Sequence, residues 1–160
     1  MAAVIERDGR FLLVEEHTPE GLRLNNPAGH LDPGESPASG CARETLEETA
    51  YQFQPSALVG IYLSRFQRPA NAKTGDTAED ITFLRFAFCG TLGTFEPLRA
   101  LDTGIVRTVW LTSEEVRASA ARHRSPLVVR CMEDYLLGLR YPLEMVTTDH
   151  SVYQTGNPLG

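Results

Sequence analysis

Short apolar runs broken by turn residues open the chain. Ala3–Ile5 and Phe11–Val14 are apolar and flank Glu6-Arg7-Asp8-Gly9-Arg10; Asp-Gly between two such runs predicts a β-hairpin. Strand-like residues begin directly after Met1, which fits either a short first strand or native residues missing upstream. Pro19 to Pro27, rich in Gly, Asn and Pro, predicts a loop. Ser36-Pro37 predicts a helix start, because Ser accepts from orphan backbone N–H groups and Pro loses nothing at the first helical position. That helix runs to about Thr49. Ala57–Phe66 and Ile81–Leu92 are rich in β-branched, aromatic and aliphatic residues and predict two strands. The polar stretch Arg68–Asp80 between them, with Pro69 and Gly75, predicts a loop.

Ile105–Leu111 predicts another strand. Thr112-Ser113-Glu114-Glu115 then has the form of a capping box and opens a helix to about His123. Ser125-Pro126 opens a last helix ending near Gly138, with Leu127, Val128, Cys131, Tyr135 and Leu136 at helical spacing. Residues 147–160 are polar, contain Gly and Pro, and predict a poorly ordered C-terminal tail after one domain spanning 1–146. Strands mixed with three helices predict an α/β fold, a mixed β-sheet packed between helices.

Composition narrows the function classes. A chain of 160 residues suits one domain, and 42% hydrophobic with 22% charged residues is an ordinary globular balance. The formal charge of −6 argues against a nucleic acid polymer as partner, since phosphate backbones call for clustered Lys and Arg. Small phosphorylated substrates stay open, because a bound cation supplies local positive charge that net charge does not reveal. Cys41, Cys89 and Cys131 offer neither a zinc-ligand spacing nor a disulfide framework. They read as small buried hydrophobes and favour the reducing cytoplasm. No apolar run approaches the ~20 residues of a membrane-spanning helix, and no secretory signal is visible, so no membrane partner is expected.

The chemistry concentrates in Gly29–Tyr51. On a helix, Glu44, Glu47 and Glu48 fall within a roughly 100° arc, while Ala38, Ala42, Thr45, Leu46 and Thr49 fall within another and predict the packing face. Like charges at i,i+4, as in Glu44 and Glu48, cost a helix roughly 0.2–0.5 kcal/mol. Arg43 stands four residues before Glu47 and relieves part of this. A hard divalent cation relieves the rest, since Mg²⁺ prefers carboxylate oxygens and keeps waters for substrate phosphates. A solvated acidic face is the plainer alternative.

Wider spacing shifts the weight toward the metal. Gly29, Glu35, Arg43, Glu44, Glu47 and Glu48 fill every fixed glycine or polar position of the Nudix hydrolase signature, which this segment resembles. At average usage of about 6% each, six identities arise by chance with probability on the order of 10⁻⁵. Ala50 departs from the usual Gly past the helix, and Tyr51 from the usual aliphatic residue; neither is a ligand position. Asn26-Pro27-Ala28-Gly29-His30-Leu31, Phe83-Leu84-Arg85-Phe86, Arg124-Ser125-Pro126-Leu127 and Arg140-Tyr141-Pro142-Leu143-Glu144-Met145 extend the resemblance to a bacterial phosphatase group of that family, over about Ala3 to Met145. Relative to that group the Arg68–Asp80 loop is longer and the tail differs.

The resemblance implies a Nudix-type α/β/α sandwich and a hydrolase using Mg²⁺, with Mn²⁺ as a substitute. Glu44 and Glu48 are implied as principal metal ligands, with Glu47 supporting or binding a second ion. Gly29 is implied as a further ligand through its carbonyl, Arg43 as orienting Glu47, and Glu35 as bracing the loop or joining the metal shell through water. Arg43 as a surface ion pair and Glu35 as a solvated loop residue are the plainer alternatives. The implied reaction cleaves phosphate anhydrides of nucleoside tri- and diphosphates or of thiamine-pathway diphosphates, including hydroxymethylpyrimidine diphosphate and thiamine diphosphate. Two rivals are a broad housecleaning pyrophosphatase cutting between α and β phosphates, and a non-catalytic ligand-binding domain. Substrate-contact candidates are His30, Arg85, Arg124 and Arg140; for His30 a structural role is an equal reading, and for Arg124 and Arg140 a surface ion pair. Asp102 reads as a turn residue or an acidic helper, and Trp110 as core. The general base stays open among Glu47, Asp102 and the 68–80 loop, and the oligomeric state between monomer and homodimer.

Overall fold

Two sheets, each backed by helices, form the frame in a computed structural model that describes residues 1–70, 75 and 77–154. The strands are β1 (Ala2–Ala3), β2 (Glu6–Arg7), β3 (Arg10–Thr18), β4 (Gly21–Asn25), β5 (Tyr51–Arg68), β6 (Glu79–Phe95) and β7 (Ile105–Thr112). The α-helices are α1 (Pro37–Thr49), α2 (Ser113–Ala118) and α3 (Leu127–Leu136). One sheet has the order β1-β6-β5, with β1 parallel to β6 and the rest antiparallel. The other runs β2-β3-β4, with β7 on β3, all antiparallel. The expected α/β sandwich is present, with its mixed sheet divided in two. Val4 and Ile5 carry the chain between the sheets: Val4 N–H donates to Phe88 O, and Ile5 O accepts from Leu12 N–H.

The hairpin after Ile5 forms as the Asp8-Gly9 pair predicts. Arg7 faces Arg10 across a two-residue turn, and both turn residues take positive φ, 52° and 74°, as a type I′ turn requires. One expectation fails in the next segment. Within Pro19–Pro27, Gly21–Asn25 is a strand that pairs with β3 from Thr18↔Gly21 to Val14↔Asn25. Turn residues at both ends masked it, and its ladder partner is supplied by β3 rather than by local sequence. The β5 and β6 strands are longer than expected, and a register shift between Pro55 and Ala57 accommodates the proline. They take in both ends of the expected Arg68–Asp80 loop; residues 71–74 and 76 of that loop lie outside the described residues.

The helix expected to reach His123 stops at Ala118 and gives way to a 3-10 turn, Ala120–Arg122. Arg124 N–H donates to Leu24 O, and His123 bridges to Leu24, so pairing with β4 pulls the chain off the helical path. In α3, Leu127, Val128, Cys131 and Met132 are buried, whereas Leu136, expected inside, is half exposed. Of the tail, His150–Tyr153 forms a 3-10 turn and residues 155–160 lie outside the described residues.

Two apolar clusters occupy opposite faces. Val116, Leu127, Val128, Cys131 and Met132 of α2 and α3 pack on Val4, Phe11, Leu13, Leu24, Val59, Ala87 and Cys89. Cys41 of α1 packs with Ala3, Ile5, Leu12, Phe53, Leu58 and Phe88. All three cysteines are buried and unpaired; burial pushes the Cys41 thiol up to about 12 and the Cys131 thiol up to about 11, so both are inert. Trp110 is half-buried against the α1-side core, edge-on to Tyr51, with the Arg7 guanidinium 4.4 Å from its ring centre. Among the described residues no helix is long and apolar enough to cross a membrane.

Candidate active site

Helix α1 is fixed at both ends. Ser36 Oγ accepts from Ser39 N–H, and Ser39 reciprocates toward the Ser36 backbone, a capping box ahead of Pro37 at the first turn. At the other end Ala50 adopts φ 59°, ψ 13°, the left-handed conformation that Gly normally takes. An L-residue pays roughly 1–2 kcal/mol for it.

Between these caps, Cys41, Thr45 and Thr49 are buried, with Thr45 Oγ1 donating to Cys41 O and Thr49 Oγ1 to Thr45 O. This corrects the expected packing face. Ala42 and Leu46 are only half-buried, and the helix is rotated so that Glu44 and Glu48 turn inward, each 9% exposed. The acidic arc is therefore split, with Glu47 left at the rim. The loop after β4 lies against this face and brings polar backbone to it. Ala28 N–H donates to Glu48 Oε2 at 2.8 Å. Gly29 lies so close to Glu44 that a Cβ there would stand 2.0 Å from Glu44 Cδ; only glycine permits this contact. The Gly29 carbonyl accepts from the Met1 amino group.

Arg43 gathers the remaining carboxylates. Its Nε and Nη2 donate to Glu35 Oε2 and Oε1 at 3.0 and 2.7 Å. Nη1 donates to Glu44 Oε1 and Glu47 Oε2, both at 2.9 Å, and Nη2 also reaches His30 O at 3.0 Å. Asp32 N–H supports Glu35 at 2.8 Å. Arg43 thus orients Glu47 and braces Glu35 at once, and the arrangement is a network rather than a surface pair. The forked bond from Arg43 is the main reason the Glu35 carboxyl is held below the usual range. Burial pushes Glu44 the other way, opposed by Arg43 and reinforced by Glu47. Glu48, which Arg43 does not touch, is pushed up to about 8, by burial first and then by the charges of Glu16, Glu44 and Asp102. Arg43 and the Met1 amino group, whose charge also acts on Glu35 and Glu44, face more carboxylates than they can neutralise.

Other candidates fall into place around this cluster. Asp102 N–H donates to Glu47 O at 3.0 Å, and Asp102 O accepts from Ile105 N–H, so the residue docks its turn onto α1 with its charge beside Glu48. Arg124 pairs with Glu16 Oε2 at 2.8 Å. Arg85 donates to the side chains of Asn25 and Asn26. His30 is exposed beside the cluster, where its backbone is used by Arg43. Arg140 is not brought in: its guanidinium lies over the Tyr135 ring at 3.8 Å and donates to Tyr135 O and Leu139 O. Glu16, Asn25 and the Ala28 N–H escape a sequence reading, since each acquires its role from a neighbour distant in the chain. For Glu16 the visible signal was two glutamates ending the apolar run of β3.

Among the described residues no three His, Cys, Asp or Glu side chains converge on one point; Glu44 and Glu47 are held by Arg43 and Glu48 by Ala28. The donor set nevertheless fits a hard divalent cation. It is all oxygen, its net charge is negative, two carboxylates are buried against their own repulsion, and glycine clears the approach.

A family model described as the NUDIX domain matches residues 1–131. The chain is 36% identical over 146 residues to phosphatase NudJ of Escherichia coli K12, spanning 91% of this chain and 88% of that protein. The solved structure of a NUDIX hydrolase from Nitrosomonas europaea aligns with TM-score 0.78 at 49% identity, over 92% of this chain and 94% of that one. The MutT protein of Methanosarcina mazei Go1, TM-score 0.57 at 20% identity, shares the fold. With the signature residues assembled around Arg43 as well, the chain belongs to the Nudix hydrolase family, enzymes that act on phosphate anhydrides of small phosphorylated substrates and generally use a divalent metal.

Proposed function

We propose that the protein is a Mg²⁺-dependent phosphatase that cleaves phosphate anhydrides of nucleoside tri- or diphosphates, or of thiamine-pathway diphosphates. The observation that carries this reading is the pair of buried carboxylates, Glu44 and Glu48, set beside Glu47 with a single guanidinium between three of the four signature glutamates and none on Glu48. The complete acidic set favours catalysis over mere ligand binding. The NudJ relatives, described as phosphatases, favour phosphate release over cleavage between α and β phosphates.

Glu44, Glu48 and Glu47 would hold the cation, with the Gly29 carbonyl adjoining. When bound, the cation neutralises phosphate charge and makes water a better nucleophile at neutral pH. The chain's own residues do the rest. Arg43 fixes Glu35, Glu44 and Glu47 as one unit, so that positioning is complete before substrate arrives. Ala28 N–H fixes Glu48, whose carboxyl burial pushes well above the usual carboxylate range in the metal-free protein. Arg85, Arg124 and His30 stand on the substrate side. The general base is left among Glu47, Asp102 and the 68–80 loop.

The test is a phosphate-release screen over nucleoside di- and triphosphates, hydroxymethylpyrimidine diphosphate and thiamine diphosphate, with Mg²⁺ and Mn²⁺, on wild type and Glu48→Gln. Turnover with at least one class, abolished in Glu48→Gln with the fold intact, is expected; near-normal turnover in the variant refutes the assigned role. Reaction in ¹⁸O-labelled water then identifies the phosphorus attacked.

A further inference from the structure

Arg85 stands on β6 opposite Tyr62 of β5, on the same strand face as the buried Ala87 and Cys89. Its half-buried guanidinium reaches the end of β4, where Nη2 donates to Asn25 Oδ1 and Nη1 to Asn26 Oδ1, each at 3.3 Å. Both asparagines are buried, 7% and 3% exposed. Both acceptors are neutral amides. Among the described residues Arg85 forms no ion pair; Glu16, whose charge acts on it, pairs with Arg124 through Oε2, and its Oε1 is buried without a hydrogen-bond partner. Burial depresses the Arg85 guanidinium from its usual range, with the nearby Cys131 thiol partly opposing.

A cation taken out of water without a carboxylate partner is costly. Amide oxygens at these distances hold the guanidinium in place without cancelling its charge. Two residues beyond Asn26, Ala28 N–H holds Glu48, a chain span of about 7 Å at most. Glu16 acts on both Arg85 and Glu48, so this positioned positive charge stands near the acidic cluster, where it offers a counter-charge to an anion that the carboxylates alone would repel.

We propose that Asn25, Asn26 and Arg85 form an anion seat that takes a phosphoryl group of the substrate, the two amides positioning the guanidinium while leaving its charge free. The seat rests on the phosphate-anhydride reading above and adds to it the reason for asparagine at these positions. A carboxylate at 25 or 26 would pair with Arg85 and use up the charge.

The seat is tested without metal or turnover, by titrating imidodiphosphate into the protein in EDTA at low ionic strength and following ³¹P shifts. Wild type binds. Asn26→Asp weakens binding about ten- to a hundredfold, the worth of a hydrogen-bonded charge, while its melting temperature equals or exceeds that of wild type. Arg85→Gln weakens binding to a similar extent. Should Asn26→Asp not fold, Arg85→Lys, which keeps the charge and loses the fork, gives the same reading through a severalfold loss. Glu48→Gln keeps wild-type or tighter binding, which separates the seat from the acidic centre. Wild-type affinity in Arg85→Gln, unweakened binding in a folded Asn26→Asp, or no binding by wild type overturns the proposal. A protein that binds imidodiphosphate through Arg85 but releases phosphate from no diphosphate sinks the hydrolase reading and keeps the seat.

Discussion

Replacing Glu48 by Gln should abolish turnover and, at the same time, stabilise the metal-free protein in alkaline solution. Glu48 is 9% exposed, and burial pushes its carboxyl up to about 8 from the ordinary value of 4.5. A carboxylic acid with a higher pKa folded than unfolded favours folding while it is protonated. That contribution is fully present below pH 4.5 and is lost as pH rises through 8. Between pH 5 and pH 8 the loss is on the order of 3 kcal/mol. Glutamine has the same shape and keeps an acceptor for the Ala28 N–H, but it never ionises. In EDTA the two proteins should therefore melt together near pH 5 and separate as pH rises. At pH 8 the variant should melt roughly 6–12 °C higher, from about 2–4 °C per kcal/mol in a chain of this size. His123 and the Met1 amino group, both pushed down chiefly by burial, titrate in or near this window with the opposite sign. They are common to both proteins and cancel in the difference. Saturating Mg²⁺ should then raise wild type at pH 8 by about 3 kcal/mol at a hundredfold excess over Kd and leave the variant nearly unmoved. Thermal unfolding by calorimetry across pH 5–8 reads all of this. A variant less stable than wild type at pH 8 without metal would refute the reasoning, for it would mean that ionised Glu48 stabilises the fold.

Arg43→Ala removes the one cation shared by Glu35, Glu44 and Glu47, and should cost about 3–5 kcal/mol in denaturant unfolding; Arg43→Lys, lacking the fork, should recover only part of it, and a loss under 1 kcal/mol counts against the network. Gly29→Ala would put a methyl 2.0 Å from Glu44 Cδ, so metal affinity measured by calorimetry should fall at least tenfold as Glu44 is displaced, and unchanged affinity rules out its role as a ligand. Ala50→Gly relieves the left-handed backbone at φ 59° and should raise stability by up to about 1 kcal/mol after the lost methyl and the extra chain entropy are set against it; a loss of more than 1 kcal/mol shows that the methyl matters more than the strain. Since Arg43 holds the Glu35 carboxyl below its usual range, Glu35→Gln should unfold at a higher pH on acidification than wild type, because stability present above the unfolded pKa is missing from it throughout; coincident acid transitions would remove Glu35 from the network.

Local chemistry was legible wherever neighbours in sequence are neighbours in space. Asp8-Gly9 makes its own turn, Ser36-Pro37 starts its own helix, and the spacing of Arg43, Glu44, Glu47 and Glu48 makes them companions on any helix they form. Gly29 and Glu35 were legible only through the signature, because nothing local says that a loop glycine touches Glu44 or that Glu35 reaches a guanidinium eight residues on. The strand Gly21–Asn25 was not read from the sequence: its pairing energy resides in β3, and turn residues at both ends hide the short Leu22-Arg23-Leu24 run between them.

Sequence by itself determined which groups could meet along α1 and how much negative charge they carry, since helical geometry repeats at a fixed angle per residue. Only the tertiary structure decided that Glu44 and Glu48 are inside and Glu47 is not, because burial depends on the loop after β4 that lies against the helix. It alone also decided that Arg85 meets Asn25 and Asn26, about sixty residues earlier in the chain. Charge is a property of the residue; the work of keeping it out of water is set by whatever the fold places around it.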